Sequence, residues 1–178
     1  MAELQNIKLI VSDVDGVWTD GRIIYAGDSR EIKEFNVRDG LGVKIAQKSG
    51  LEIAVITSRS SKALERRCRE LSIRHLEQSA RNKLEAMDHI LGLLDLDRSQ
   101  AAYLGDDLPD LPAIEVAGLS AAPADAAAEV LAAVTWPLHS RGGNGVVREF
   151  VEKFFRERGD WEDLIHEFRS GSVVSGRL

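Results

Sequence analysis

Two acidic clusters in the sequence have residue types and spacing suited to metal binding and acid–base chemistry. In the first, Asp13 and Asp15 come shortly after an apolar run at residues 7–11, with Ser12 between the run and Asp13. In the second, Gly-Asp-Asp-Leu-Pro-Asp at residues 105–110 follows another apolar run at residues 101–104. Buried carboxylates repel one another, so the arrangement persists when a cation compensates their charge, and Mg²⁺ suits an oxygen-only ligand set.

A hydroxyl and an amine follow two further apolar runs. Thr57 comes directly after residues 51–56, and Lys83 comes at a helix start after the weaker run at residues 73–76. Each polar residue also has a plain structural interpretation, since Asp13 and Thr57 alone could be helix caps and Lys83 alone a solvated surface lysine. Carboxylate, hydroxyl, amine and carboxylate at four strand ends in succession instead indicate a catalytic site.

The elements that must position these residues form an alternating pattern. Continuous apolar runs indicate strands buried on both faces, and amphipathic helical patterns separate them at residues 64–71 and 84–94. This alternation predicts an α/β fold with a doubly wound, mostly parallel sheet and helices on both faces. Such sheets bind ligands beyond the carboxyl ends of their strands. The strands are predicted at residues 7–11, 51–56, 73–76, 101–104 and 119–121.

One segment interrupts the alternation directly after the first strand. Two β-prone stretches joined by Ala-Gly-Asp-Ser predict a hairpin over residues 22–35. A hairpin cannot bury both faces alone, so we expect it to project and pack against another surface, such as another subunit. Only this hairpin and a helix at residues 41–47 are predicted between Asp15 and Thr57, which leaves no room for a cap domain.

The remainder of the chain predicts helices and a tail. The alanine-rich residues 121–133 are expected to form a helix with a flanking loop. Apolar stripes predict two further helices over residues 147–154 and 161–168. We predict a single domain over residues 1–169 and a flexible Ser- and Gly-rich tail over residues 170–178.

Composition excludes several classes of function. The 178 residues contain 23 Lys and Arg against 29 Asp and Glu, and the net charge of -6 disfavours a nucleic-acid partner. Cys68 is the only cysteine, so neither an intrachain disulfide nor a Cys-based zinc site can form. Residues 1–8 carry no basic region followed by an apolar core, and no stretch approaches the ~20 apolar residues that a membrane helix needs. We expect a soluble, cytoplasmic protein without a membrane partner.

The strand-end motifs, in this order, resemble those of the haloacid dehalogenase superfamily of aspartyl-phosphate phosphatases. The resemblance covers nearly the whole chain. The motifs at residues 13–21, 35–40, 105–110 and 141–145 are similar to those of the small cap-less branch of this superfamily. It implies a Rossmann-like fold with no cap domain. It also implies a phosphatase of 3-deoxy-D-manno-octulosonate 8-phosphate or of the nine-carbon 2-keto-3-deoxynononate 9-phosphate.

The resemblance assigns the chemistry of the acidic clusters. Asp13 would be the nucleophile that forms an aspartyl phosphate, and Asp15 would be the general acid and base. Mg²⁺ would be held by Asp13, the backbone carbonyl of Asp15, and Asp106.

The resemblance also assigns the phosphoryl-binding groups. Thr57 would hydrogen-bond the transferring phosphoryl group, and Lys83 would stabilise its charge. Asp110 would orient Lys83, and Asp107 would support the same cluster.

Substrate contacts follow from the same resemblance. Arg offers a carboxylate a bidentate fork, which favours Arg59 and Arg67 as ligands of the sugar acid, although arginines on amphipathic helices are most often solvated. Arg59 after Thr57 resembles the eight-carbon phosphatases, whereas Val17-Trp18 and residues 145–150 are closer to the nine-carbon ones, so both substrates stay open. The residues assigned to the sugar acid are Asp15, Asn36, Val37, Arg38, Asp39, Gly40, Lys44, Arg59, Arg67 and Lys83.

Assembly is a further implication of the resemblance. The cap-less phosphatases form tetramers whose hairpins pack into a central barrel and cover neighbouring sites. The sequence therefore predicts a homotetramer through residues 22–35, with Ile23, Ile24 and Tyr25 at a subunit interface.

Two other classes of protein share features with this sequence. A receiver domain also carries Asp, Thr and Lys at strand ends, but its phosphate acceptor lies on a middle strand after an earlier acidic pair. Here the Asp-x-Asp motif lies on the first strand. A non-catalytic oligomerisation domain is disfavoured because Asp13, Asp15, Lys83 and Asp106 are all intact.

Overall fold

A six-stranded parallel sheet forms the centre of the computed structural model, which describes residues 4–27 and 31–170. The strands are β1 (Leu9–Ser12), β2 (Ile24–Tyr25), β3 (Glu31–Ile32), β4 (Glu52–Ile56), β5 (His75–Glu77), β6 (Ala101–Leu104), β7 (Leu119–Ala122) and β8 (Trp136–Pro137). The order in the sheet is β5-β4-β1-β6-β7-β8, and each neighbouring pair is parallel. The predicted fold class is confirmed.

Helices cover both faces of this sheet. They are α1 (Val37–Lys48), α2 (Lys62–Glu70), α3 (Lys83–Leu94), α4 (Leu111–Ile114), α5 (Ala128–Ala133), α6 (Val146–Arg158) and α7 (Trp161–Arg169). Short 3-10 helices lie at Leu4–Asn6, Arg98–Gln100 and Leu108–Asp110. The cluster of buried apolar residues on one face includes side chains from α1, α2, α6 and α7, and the cluster on the other includes α3, α4 and α5.

The central position of β1 explains its continuous apolar sequence. Ile10 packs into the core on one face of the sheet, whereas Leu9 and Val11 pack into the core on the other. The chain runs outward from β1 to β4 and β5, and then returns to β6 on the other side of β1. The carboxyl end of β1 is therefore the point where the strand order reverses, at which doubly wound folds bind their ligands.

The hairpin is shorter than its sequence pattern predicted. Ile24 pairs with Ile32 and Tyr25 with Glu31 in an antiparallel two-stranded sheet separate from the main one. Part of the predicted turn, residues 28–30, lies outside the described residues. Between β1 and β4, the described part of the chain holds only this hairpin and α1, and no cap domain.

Several predicted boundaries differ from the structure. The helix predicted over residues 41–47 begins at Val37, because Asn36 caps it by accepting the backbone N–H of Arg38. The strand predicted over residues 73–76 is β5, which begins two residues later, since Ile73 donates its N–H to the last turn of the preceding helix at Cys68.

The alanine-rich segment is divided between two elements. Its first residues complete β7, and the helix α5 covers only Ala128–Ala133. The strand β8 had not been predicted. Of the predicted tail, residues 171–178 lie outside the described part of the chain. No helix within residues 4–27 and 31–170 has the length and apolarity to cross a membrane.

Two glycines differ in the space that the surrounding structure leaves for a Cβ atom. A Cβ on Gly118 would lie 2.0 Å from the carbonyl oxygen of Ser99, whereas a Cβ on Gly92, exposed in α3, would meet no atom within 4 Å. We expect Gly118→Ala to lower the free energy of unfolding by about 1–3 kcal/mol, because the backbone must shift. Gly92→Ala is expected to raise it by about 0.5–1 kcal/mol through helix propensity. Urea denaturation measures both, and equal stability of the two variants would contradict the packing described.

Candidate active site

The nucleophile predicted from sequence lies at the carboxyl end of the central strand. Asp13 directly follows β1 and is buried, and its N–H donates to the carbonyl of Leu104 on β6 at 2.9 Å. The turn that follows carries Gly16 at a φ of +101°. A Cβ on Gly16 would lie 2.0 Å from Oδ2 of Asp106, so glycine permits the close approach of the two acidic clusters.

Lys83 connects the acidic clusters. Its Nζ lies 3.0 Å from Oδ1 of Asp13 and 2.7 Å from Oδ1 of Asp110. Burial alone would lower the pKa of Lys83, but the charges of Asp13 and Asp110 outweigh it and the pKa is raised. The ammonium group therefore stays protonated at the end of β1, where it can bind an anionic group.

Every oxygen of Asp110 is used within the protein. Oδ1 accepts hydrogen bonds from Lys83 and, at 2.7 Å, from the hydroxyl of Tyr103, while Oδ2 accepts the N–H groups of Asp106 and Asp107. Burial, and after it the charge of Asp110, raises the pKa of Tyr103 well above its ordinary value, so the hydroxyl stays protonated. Asp110 therefore binds Lys83 in the arrangement that its predicted orienting role requires, and it has no oxygen left for a metal.

Asp13 and Asp106 fit a divalent cation. Carboxylate oxygens of Asp13, Asp106 and Asp110 lie within 4.8 Å of one another. Oδ1 of Asp106 is buried, yet it accepts no hydrogen bond from any residue the structure describes. A buried carboxylate oxygen without a partner is costly, and a hard cation satisfies it.

Burial disfavours the charged form of both carboxylates. It raises the pKa of Asp106 to about 8, with the charges of Asp13 and Asp110 adding to the effect. It raises the pKa of Asp13 to about 6, with the charge of Asp110 adding and Lys83 opposing. The cluster holds more negative than positive charge, so binding a divalent cation would favour the ionised carboxylates.

Thr57 presents a hydroxyl at the end of the neighbouring strand β4. It is buried, and its Oγ1 accepts the backbone N–H of Arg59 at 3.2 Å. The hydroxyl hydrogen therefore remains available to donate to an anionic ligand. Thr57, Asp13 and Asp106 follow three adjacent strands, as the sequence predicted.

The hairpin contributes a residue that sequence analysis missed. Lys33, which directly follows β3, pairs its ammonium group with Oδ1 of Asp15 and, at 3.0 Å, with Oε1 of Glu31. Oε2 of Glu31 accepts from Arg59 at 2.6 Å. The hydrogen bond from Arg59 lowers the pKa of Glu31, and Lys33 adds to this against burial. The alternation of charged Glu31 and Lys33 around Ile32 was the available signal, and it resembled an ordinary solvated hairpin face.

A glycine-rich loop packs against the turn after Asp13. Gly143 donates its N–H to the carbonyl of Val17 at 2.9 Å, and a Cβ on Gly142 would lie 1.9 Å from the carbonyl oxygen of Gly16. The motif predicted at residues 141–145 thus supports the backbone beside Asp13.

Comparison with known proteins identifies the family. A model described as haloacid dehalogenase-like hydrolase matches residues 75–150. The chain is 41% identical over 163 residues to the 3-deoxy-D-manno-octulosonate 8-phosphate phosphatase KdsC of Salmonella typhi, covering 92% of this chain and 87% of that protein. The chain belongs to the haloacid dehalogenase-like hydrolases. The predicted superfamily and the predicted enzyme class, a phosphoric monoester hydrolase, are confirmed.

Further relatives of this hydrolase agree. The Yersinia pestis enzyme of the same name is 43% identical over 147 residues, covering 83% of this chain and 79% of that protein. The 3-deoxy-D-manno-octulosonate 8-phosphate phosphatase of Moraxella catarrhalis, solved with magnesium, phosphate and KDO, superposes with a TM-score of 0.90 at 38% identity and covers 93% of this chain and 95% of that one. A probable yrbi family phosphatase from Pseudomonas syringae gives 0.88 at 41% identity, covering 99% of each chain.

Among the residues assigned to the substrate, some line a surface groove and others are bound to neighbouring parts of this hydrolase. The first group lines a groove of about 500 Å³ between α1 and α2, in which a Cβ on Gly40 would lie 2.3 Å from the guanidinium of Arg67. Lys44 hydrogen-bonds Ser72 there at 3.2 Å. Predicted residues in this groove are Val37, Arg38, Gly40, Lys44 and Arg67.

The second group has partners within the protein. Asp39 is buried and accepts the N–H of Arg148 at 2.8 Å, so its carboxylate caps α6. Burial raises the pKa of Asp39 to about 6. Asn36 caps α1 and donates to Gly143. The structure therefore gives both side chains contacts within the fold, and their assignment to the substrate stays a prediction.

Two further predicted residues also have partners in the fold. Arg59 is occupied by Glu31, and Asp107 is exposed and accepts the N–H of Leu108 in the cap of a 3-10 helix.

Cation binding is expected to strengthen as the pH rises from about 6 to about 8. Asp13 and Asp106 must both lose their protons to bind Mg²⁺, and their raised pKa values make protons compete in this range. Without a cation, the folded chain binds more protons than the unfolded chain, so stability should fall as the pH rises through the same range. Calorimetric titration with Mg²⁺ at several pH values measures the first effect, and thermal unfolding in chelator measures the second.

Two substitutions serve as controls for this prediction. Asp106→Asn should abolish the stabilisation by Mg²⁺, whereas Asp88→Asn should leave it unchanged, because Asp88 is paired with Arg98 on the surface. Mg²⁺ affinity that does not depend on pH, or that survives in Asp106→Asn, would contradict this assignment.

Proposed function

We propose that this chain is a Mg²⁺-dependent phosphatase of 3-deoxy-D-manno-octulosonate 8-phosphate. The observation that carries the proposal is the buried cluster at the end of β1, where Asp13 lies 3.0 Å from Lys83 and beside the partnerless oxygen of Asp106. The names of relatives such as the Salmonella typhi protein, and the KDO and phosphate held by the Moraxella catarrhalis structure, support the choice of substrate.

Asp13 carries the first step of the proposed mechanism. Its carboxylate attacks phosphorus, the bond from phosphorus to the sugar oxygen breaks, and the electron pair stays on that oxygen, which takes a proton from Asp15. Water then attacks the aspartyl phosphate, with Asp15 accepting its proton, and phosphate and Asp13 are released. Mg²⁺, held by Asp13, Asp106 and the backbone carbonyl of Asp15, would neutralise charge between the anionic groups.

Two side chains are suited to the phosphoryl group. Lys83 keeps its proton and is held in place by Asp110 at 2.7 Å, so its charge opposes the charge on the equatorial oxygens. Thr57 has a hydroxyl hydrogen free to donate to the same group. Positioning and electrostatic stabilisation are the main requirements of phosphoryl transfer.

The nine-carbon keto acid phosphate is the second candidate substrate. Arg59 was the residue that favoured the eight-carbon substrate, and its guanidinium is already bound by Glu31 at 2.6 Å. A substrate carboxylate at this position would have to share that arginine. This pairing weakens the argument from Arg59 and is the reason for testing both substrates.

We also propose a homotetramer assembled through the hairpin. Apolar side chains of the hairpin are exposed without being part of either core, and the exposed fraction reaches 74% for Tyr25. Ile23, Ile24 and Ile32 are 47%, 39% and 46% exposed. Contiguous exposed apolar residues are typical of an interaction surface. A cytoplasmic location is proposed as well, because the lone Cys68 is a free, buried thiol.

A phosphate-release assay tests the proposed activity. With Mg²⁺, we expect turnover of 3-deoxy-D-manno-octulosonate 8-phosphate in preference to the nine-carbon phosphate and to common hexose phosphates. Asp13→Asn should abolish turnover, because the amide cannot attack phosphorus, and should keep the fold, because it is nearly isosteric. Chelation of Mg²⁺ should have the same effect as the substitution. Absence of release from every sugar phosphate would refute the proposed activity.

Assembly can be tested independently of activity. Light scattering should give four times the 19.6 kDa chain mass. Replacing Ile24 and Tyr25 by Lys should shift the mass downward, because charges then oppose burial of the hairpin. Leu93→Lys, at a leucine on α3 that is 65% exposed, should leave the mass unchanged. An active wild-type monomer would refute the tetramer.

A further inference from the structure

The hairpin reaches the active site through a chain of alternating charges. Arg59 at the end of β4 binds Glu31, Glu31 also binds Lys33, and Lys33 binds Asp15. Glu31 and Lys33 are the two members of this network that sequence analysis did not assign. The side chain of Lys33 is only 3% exposed, although the apolar side chains of the same hairpin are exposed. A buried lysine needs close anionic partners, and here both partners are carboxylates.

The two oxygens of Asp15 have different surroundings. Oδ1 is bound by Lys33. Oδ2 is buried and accepts no hydrogen bond from any part of the chain that the structure describes. A carboxylate held by one oxygen cannot rotate freely, so the ion pair fixes the direction in which the other oxygen points.

We infer that Lys33 is a positioning residue for the general acid and base, holding Oδ1 of Asp15 so that Oδ2 exchanges the proton. The inference rests on the proposed function. In the first step, the proton on Oδ2 passes to the sugar oxygen as its bond to phosphorus breaks, and Oδ2 is left ionised. In the second step, Oδ2 takes a proton from the attacking water. Lys33 touches neither substrate nor phosphorus and acts through Asp15.

Glu31 has a supporting part in this arrangement. It binds Lys33 through Oε1 and Arg59 through Oε2, so one carboxylate connects the hairpin to the strand end that carries Thr57. Displacement of the hairpin would therefore move Lys33 together with its partner. The position of the hairpin thus sets the position of the proton donor.

Leaving groups of different basicity test this role. A sugar alkoxide needs a proton as it leaves, whereas nitrophenolate, released from p-nitrophenyl phosphate, does not. We expect Lys33→Met to slow the first phosphoryl transfer from the sugar phosphate by about 10²-fold and that from p-nitrophenyl phosphate by less than about threefold. Rapid-quench measurement of a single turnover isolates this first step, and KM should change little.

Matched variants distinguish a loss of Asp15 positioning from a general loss of folded structure. Lys33→Arg keeps the charge and should restore most of the rate with the sugar phosphate. Lys33→Gln is measured in parallel, because it also lacks the charge but differs in shape from Met. If one of the two variants fails to fold, the rates of the other still test the role of Lys33. Lys8→Met removes an exposed lysine at the opposite end of β1 and should keep full activity.

The outcomes distinguish this inference from the proposed function. Asp15→Asn should show the same dependence on leaving group as Lys33→Met. Suppose that wild type is active and that Asp15→Asn shows this dependence. If Lys33→Met then loses rate equally on both substrates, or loses none, the role of Lys33 is overturned and the proposed function still stands. If wild type releases phosphate from neither substrate, the proposed function itself fails.

Discussion

The buried ammonium group of Lys83, shared between Asp13 and Asp110, is the interaction on which the site depends. It brings together residues from two parts of the chain and holds them where the central strand ends. One cation does not balance the carboxylates around it, since Asp106 approaches the same cluster, where burial and the charges of Asp13 and Asp110 raise its pKa to about 8. The protein therefore encloses an excess of negative charge, which disfavours the closed cluster by itself and favours it when a divalent cation is bound.

The surrounding fold maintains this arrangement. β1 has β4 on one side and β6 on the other, and both neighbours are paired with it along its length, so three strand ends are fixed relative to one another. The hydroxyl of Tyr103 and two backbone N–H groups saturate Asp110, which leaves that carboxylate one orientation. The precision of the site therefore comes from the regular sheet and from hydrogen bonds within the acidic loop at residues 105–110.

The sequence predicted the parts of the site that have local signals. Asp13, Thr57 and Asp106 each follow an apolar run, so strand periodicity was sufficient to place them at one sheet edge. Lys33 and Tyr103 could not be assigned in this way, because their function depends on partners distant in sequence and on burial that single residues do not reveal.

The errors in the predictions also have physical causes. The start of α1 was missed because glycines weaken the helical pattern there, and the capping role of Asn36 was missed with it. The cap that Asp39 provides for α6 was also missed, because this contact is made across 109 residues of sequence. β8 escaped prediction because two residues, one of them proline, give no periodicity.

The two ends of the main sheet have a consequence for solubility. One edge strand, β5, has three residues, and the other, β8, has two and includes Pro137, which has no N–H to donate. Short edge strands, one of which lacks a backbone N–H donor, offer few hydrogen-bonding groups to a strand of another chain. They therefore protect against edge-to-edge aggregation. The main sheet therefore offers other chains little backbone to pair with, and the exposed apolar side chains of the hairpin remain the surface proposed for assembly.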